Sequence, residues 1–103
     1  MNGGNTMATY ITLIRFTQKG VTEIKDSATN IDRAKQMFKS MGAELKEIYL
    51  TLGQYDMIAI AEIPDDETVA KLSLAVSSQG GVRGETLRAF TEEEFGKIIS
   101  ALP

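Results

Sequence analysis

Arg15, Tyr55, Asp56 and Arg83 are the side chains of this sequence best suited to chemistry together. Two guanidiniums beside a carboxylate and a phenol can bind a small acid, because arginine presents forked donors and Asp56 would orient one of them. If Asp56 were instead desolvated, its pKa would rise, and it could act as a base with Tyr55 as hydrogen-bond donor. Each also has a plain structural use. Tyr55 suits packing across a hairpin or at a subunit contact, and Asp56 suits an ion pair with Arg15 or Arg83.

Other chemistries are ruled out by what is missing. The chain has no histidine and no cysteine. That removes the Ser-His-Asp triad, thiolate nucleophiles, disulfides, the usual zinc ligands and the proximal haem ligand. Acid–base work would fall to Asp, Glu, Lys or Tyr with a shifted pKa. The acidic run Glu92-Glu93-Glu94 suits helix initiation, and metal binding by it would need ligands from elsewhere. Gly80-Gly81 precedes a strand instead of a helix N-terminus, so it is not a phosphate loop. No cofactor and no metal site is expected.

A net charge of −3, with eleven scattered Lys and Arg among 103 residues, argues against a nucleic-acid partner. No apolar run approaches the roughly 18 to 20 residues that cross a bilayer, so no membrane partner is expected. The start lacks the basic and apolar segments of a secretory signal, and the reading is cytoplasmic. Residues 1–6, rich in Gly and Asn, read as a flexible leader or expression remnant, with Met7 an alternative start. Residues 7–103 read as one domain.

The elements that must position the four side chains follow from periodicity. Tyr10 to Thr17 is a strand rich in β-branched and aromatic residues, broken by Lys19-Gly20. A helix fits Ser27 to Met41, with Ile31, Ala34, Phe38 and Met41 on one side and Gly42 as its left-handed cap. Leu45 to Leu52 and Tyr55 to Ile63 form a hairpin about a two-residue Gly53-Gln54 turn. Pro64 to Glu67 starts a second helix with Val69, Leu72, Ser73 and Val76 as its buried stripe. Gln79-Gly80-Gly81 ends it, and Val82 to Phe90 is a fourth strand. Thr91 and Glu94 form a capping box for a terminal helix whose apolar side is Phe95, Ile98, Ile99 and Leu102.

The order β-α-β-β-α-β plus a terminal helix is the ferredoxin-like α+β arrangement, with antiparallel sheet order 4-1-3-2. This places Arg15, Tyr55, Asp56 and Arg83 at one end of the sheet, beside Gly80-Gly81, with Thr17-Gln18-Lys19 poised over it. Both faces of the strands carry apolar residues: Tyr10, Thr12, Ile14 and Phe16 oppose Ile11, Leu13 and Arg15. Met57, Ala59, Ala61 and Ile63 oppose Ile58 and Ile60. On the second strand, Lys46, Ile48, Leu50 and Leu52 oppose Leu45, Glu47, Tyr49 and Thr51. The two main helices cover one face only. The other calls for a second subunit, or for the terminal helix.

Gly53-Gln54-Tyr55-Asp56 fits a Gly-x-Tyr-Asp signature, and with the flanks Tyr10–Thr17 and Glu85–Thr91 the chain resembles the GYD domain family from Met7 onward. The resemblance implies a dimeric α/β barrel, in which two ferredoxin-like sheets pack face to face. Relatives in the wider barrel group include cofactor-free monooxygenases, small isomerases, haem enzymes and amino-acid-sensing domains, and fold does not choose among them. The expectation is a homo-oligomeric module holding a small, anionic or aromatic, metabolite between facing sheets. The alternatives are a cofactor-free enzyme using Asp56 and Tyr55, and a purely structural self-assembling subunit. Glu62 and Arg88 are candidates to pair across an interface.

Overall fold

The computed structural model describes residues 7–103, so the leader expectation falls outside the described residues. Strands β1 (Ala8–Phe16), β2 (Glu44–Leu50), β3 (Met57–Ile63) and β4 (Val82–Ala89) form one antiparallel sheet in the order β2-β3-β1-β4. This is the expected order, written from its other side. Helices α1 (Gln18–Thr22), α2 (Ser27–Ser40), α3 (Asp66–Ser78) and α4 (Glu92–Ser100) complete the chain.

The core lies at one end of the helix-covered face. Tyr10, Ala43, Ala61, Ile63 and Leu72 are buried there, with Met37, Phe38, Met41, Leu45 and Val69 packed around them. The alanines of β3 are small enough to admit a helix closely. Tyr10 keeps its hydroxyl satisfied by donating to Asp66 Oδ1 at 3.1 Å. Burial first, and then this bond to a carboxylate, raises the Tyr10 pKa.

Four features depart from the sequence reading. Lys46 is an extra residue in β2: the register passes from Leu45↔Ala61 to Glu47↔Ile60. Such a bulge reverses the alternation, so Leu45 shares the helix side with Ile48, the partner of Ala59. The β2–β3 turn is also longer than two residues. Thr51 N–H donates to the Asp56 carbonyl at 2.9 Å and Thr51 Oγ1 donates to the Tyr55 carbonyl at 2.6 Å, enclosing residues 52–55. Gly53 takes φ +110°, a conformation that other residues adopt only under strain. Ser73 is exposed, and of the expected buried stripe only Leu72 is fully buried.

The fourth departure follows β1, where the chain forms α1 and a 3-10 turn (Ile24–Asp26) in place of a plain break. Thr17 is its N-cap, accepting from Gly20 N–H at 3.1 Å and donating to the Gly80 carbonyl at 2.5 Å. Thr17 N–H also donates to the Gly81 carbonyl at 3.1 Å. A Cβ on Gly20 would sit 2.0 Å from that carbonyl oxygen, so only glycine permits the approach. Residues 17–20 thus close directly onto Gly80-Gly81.

Both longer C-terminal-half helices start on well-formed caps. Asp65 accepts from Thr68 N–H at 2.8 Å and from Thr68 Oγ1 at 2.7 Å. Thr91 and Glu94 form the full capping box, with Thr91 N–H donating to Glu94 Oε1 at 2.8 Å and Glu94 N–H to Thr91 Oγ1 at 3.1 Å. The Thr68 hydroxyl bond, with the backbone bond behind it, lowers the Asp65 pKa, and the Thr91 N–H bond lowers that of Glu94. A carboxylate with a depressed folded-state pKa stabilises above its unfolded value and loses that contribution as pH falls through the folded value. Helical circular dichroism is therefore expected to hold down to about pH 4 and to decline below it. Asp65→Asn should blunt the α3 part of that acid transition.

Candidate functional site

The helix-free face of the sheet is laid out in rows by the register. Glu47, Ile60, Ile11 and Leu87 form one row across the four strands, and Tyr49, Ile58, Leu13 and Glu85 form the next. Toward one end follow Glu44, Glu62, Thr9 and Ala89; toward the other, Arg15 lies directly opposite Arg83. The face is therefore an apolar band with an acidic end and a basic end. Leu87 and Tyr49 are 42% and 51% exposed. Tyr49 donates to Glu47 beside it, which raises the phenol's pKa.

The basic end holds the side chains singled out from the sequence. The Arg15 guanidinium stacks over the Tyr55 ring, 4.8 Å from its centroid. Tyr55 Oη donates to Glu85 Oε1 at 3.2 Å, so the ring reaches from the start of β3 across β1 to β4. Glu85 was not among the sequence candidates. Its pairing with Leu13, two residues before Arg15, is the signal that puts it on the same face.

Asp56 does something else. Its Oδ2 accepts from Phe16 N–H at 2.9 Å, its own N–H donates to the Ile14 carbonyl at 2.8 Å, and its carbonyl accepts from Thr51. Among the described residues it forms no ion pair with Arg15 or Arg83; the pairs present are Lys19–Glu23, Lys46–Glu44 and Lys71–Glu67. The carboxylate extends the β1–β3 ladder beyond Met57, the first residue of β3. Asp56→Ala is expected to cost about 1–3 kcal/mol by leaving Phe16 N–H unpaired, whereas Asp56→Asn keeps an acceptor and should cost about 1 kcal/mol or less. Urea denaturation measures both, and equal losses would show that the negative charge matters more than the acceptor.

Arg88 and Glu62 lie on opposite faces of the sheet: Arg88 is the partner of Tyr10, and Glu62 that of Thr9. The Arg88 guanidinium lies 4.3 Å from the Phe90 ring centroid and 5.8 Å from that of Tyr10. Among the described residues no His/Cys/Asp/Glu cluster could hold a metal ion, and no helix is long and apolar enough to cross a membrane.

The helix-free face is not covered by α4. Phe95, Ile98, Ile99 and Leu102 are 57%, 44%, 50% and 63% exposed. The helix makes no substantial contact with the sheet or with α2 and α3. Leu50 and Leu52, at the β2–β3 hairpin tip, are 74% and 97% exposed.

Comparison with solved structures returns the same fold. The crystal structure of MtbAldR aligns over 89% of this chain with TM-score 0.66 at 13% identity, and the chain spans 59% of that protein's length. TTHA0845 from Thermus thermophilus aligns over 82% of this chain and 95% of its own, with TM-score 0.53 and 25% identity. A second comparison, by sequence, finds the "Glutamine synthetase and cystathionine beta-lyase binding protein" of Thermus thermophilus. It is 31% identical over 84 residues, 81% of this chain and 88% of that protein. The GYD domain pattern itself matches residues 10–99, from near the start of β1 to the last turn of α4. On that span, and with that relative, this chain belongs to the GYD domain family.

Proposed function

We propose that this protein is a homo-oligomeric binding module of the cytoplasm whose unit is a face-to-face pair of subunits. The observation that carries the reading is the layout of the helix-free face. Two rows, apolar but for Glu47 and Glu85 at their outer strands, lie between an acidic end (Glu44, Glu62) and a basic end (Arg15, Arg83). A two-fold axis lying across the strands would set each acidic end against the partner's basic end while the apolar rows bury one another. Such a contact is isologous, so every favourable pair occurs twice. Stacked sheets lie about 10 Å apart, which is the reach of the side chains in these rows.

Two further functions follow from the pair. At the rim of the paired sheets, the guanidinium donors of Arg15 and Arg83 that the partner's acidic end does not take up, with Tyr55 and Asp56 beside them, would hold a small anionic metabolite. The exposed hairpin tip and the apolar side of α4 suit a protein partner. The Thermus relative, named for binding glutamine synthetase and cystathionine beta-lyase, supports an enzyme of amino-acid metabolism in that role.

Native mass spectrometry of freshly purified protein tests the assembly and reports any retained small molecule. An even-numbered oligomer is the expected result; a strict monomer at micromolar concentration would sink the reading. Charge reversal gives a sharper check. Arg15→Glu with Arg83→Glu should weaken the oligomer about tenfold or more at low salt. Adding Glu44→Lys and Glu62→Lys in the same chain should restore it.

A further inference from the structure

The opposite face of the sheet carries a feature that neither self-association nor the basic end uses. The C-terminal half of α2 and the N-terminal half of α3 meet over Tyr10, Ala61 and Leu72. Between the helices and the sheet lies a cleft of about 800 Å³ that runs from these residues to the N-terminal end of α2 and the C-terminal end of α3. Its floor is the centre of the sheet, where Thr12, Ile14, Ala59 and Thr86 stand. Ile31 and Ala34 of α2 and Ser73 and Val76 of α3 form the walls. No residue of α2 is buried.

A gap of that size is out of keeping with a protein interior, which packs as densely as an organic crystal. It falls within the ordinary range of small-molecule sites. Polarity within it is graded. On the floor, the Thr12 and Thr86 hydroxyls bond to each other at 3.0 Å and leave the sheet centre with little for a polar ligand. At its inner end the lining is apolar and includes the core residues Met37, Phe38, Ala61, Ile63 and Leu72. At the open end, beside α1, stand Lys19, Glu23, Asn30, Arg33 and Gln79. Lys19 is already paired with Glu23 at 3.0 Å. A cleft apolar at one end, with polar groups of both signs at the other, matches an amphiphile that enters tail first.

We propose that the α2–α3 cleft binds a slender amphiphile, a straight alkyl chain of medium length ending in a small polar head. The tail lies along Ile14 and Ala59 between the helices, and the head stays at the mouth beside α1. Because the mouth carries both charge signs, the tail supplies the recognition, and an acid and its alcohol bind alike. This site is independent of the pairing face, which lies on the other side of the sheet.

The chain has no tryptophan, so Ser73→Trp puts a single indole on the cleft wall as reporter. The full chain is titrated with hexanoate, octanoate, decanoate and dodecanoate, and with decanol, each below its micelle concentration. The expected result is a saturable one-to-one blue shift whose affinity rises about fourfold per added methylene, from ~0.8 kcal/mol per buried CH₂, until the cleft is full. Decanol should bind within about tenfold of decanoate. In the same reporter, Ala34→Phe should lower decanoate affinity at least tenfold while Ala34→Ser keeps it, with circular dichroism showing both folded.

Three results would overturn the proposal. One is an indole already blue-shifted and shielded from acrylamide without ligand, which would mean that the helices close on each other or on a second copy. Another is binding by the acids alone without dependence on chain length, which would mean surface ion pairing. The last is undiminished affinity in a folded Ala34→Phe, which would place the ligand elsewhere.

Discussion

Ile60→Lys is expected to give a folded monomer. Ile60 occupies the middle of the apolar band, with Ile11 on one side and Glu47 on the other. In an isolated subunit the new ammonium is tolerable, since water reaches this face and Glu47 stands directly across from it. In a face-to-face pair it would be desolvated, and the two-fold relation would impose the cost twice. At about 1.5 kcal/mol or more per copy, the loss is about 3 kcal/mol, or more than a hundredfold in dissociation constant. Sedimentation velocity across a concentration series measures it, with thermal melting at matched concentration to establish that the chain still folds. Leu52→Ser at the hairpin tip is the control and should leave subunit number unchanged. An Ile60→Lys protein that assembles as tightly as the parent would exclude this face as the contact.

Leu72→Ala is expected to produce the largest loss of fold stability. Leu72 is 2% exposed, the most deeply buried large side chain of a small core, packed among Tyr10, Ala61 and Ile63. Truncating a buried leucine removes its transfer free energy and leaves a void, together about 2–5 kcal/mol. For a domain of this size each kcal/mol lowers the midpoint by about 4–8 °C. A fall of roughly 10 °C or more is therefore expected, enough to leave much of the protein unfolded at physiological temperature. Leu74 lies on the same helix, two residues on, and is 72% exposed. Leu74→Ala should stay within about 0.5 kcal/mol of the parent. Comparable losses from the two would mean that α3 presents a different side to the sheet.

The fold was legible where local chemistry is decisive. Thr91 and Glu94 define a capping box by type and spacing alone, and it forms. Gly42 and Gly53 fall where positive φ is needed, and both adopt it. The two-sided apolarity of β1 and β3 survives in the register. What could not be read depended on contacts distant in sequence. The bulge at Lys46 is an adjustment of β2 to its neighbour β3, and simple alternation carries no mark of it. Helix α1 exists because Gly20 settles on the Gly81 carbonyl, sixty-one positions away, and read locally Lys19-Gly20 looks only like a break. Asp56 likewise looked like a partner for arginine, because an acceptor for the Phe16 amide appears only once β1 and β3 are aligned.

The irregularity in β2 bears on how growth stops. β2 is an outermost strand, and regular outer strands leave a row of unpaired backbone groups that invite endless lateral addition of further chains. An inserted residue breaks the periodicity of that row, and the inserted residue here is a lysine. Both are devices by which natural sheets discourage fibril-like stacking. With sideways extension disfavoured, the greasy surface can be satisfied by a closed, countable set of copies instead of a filament.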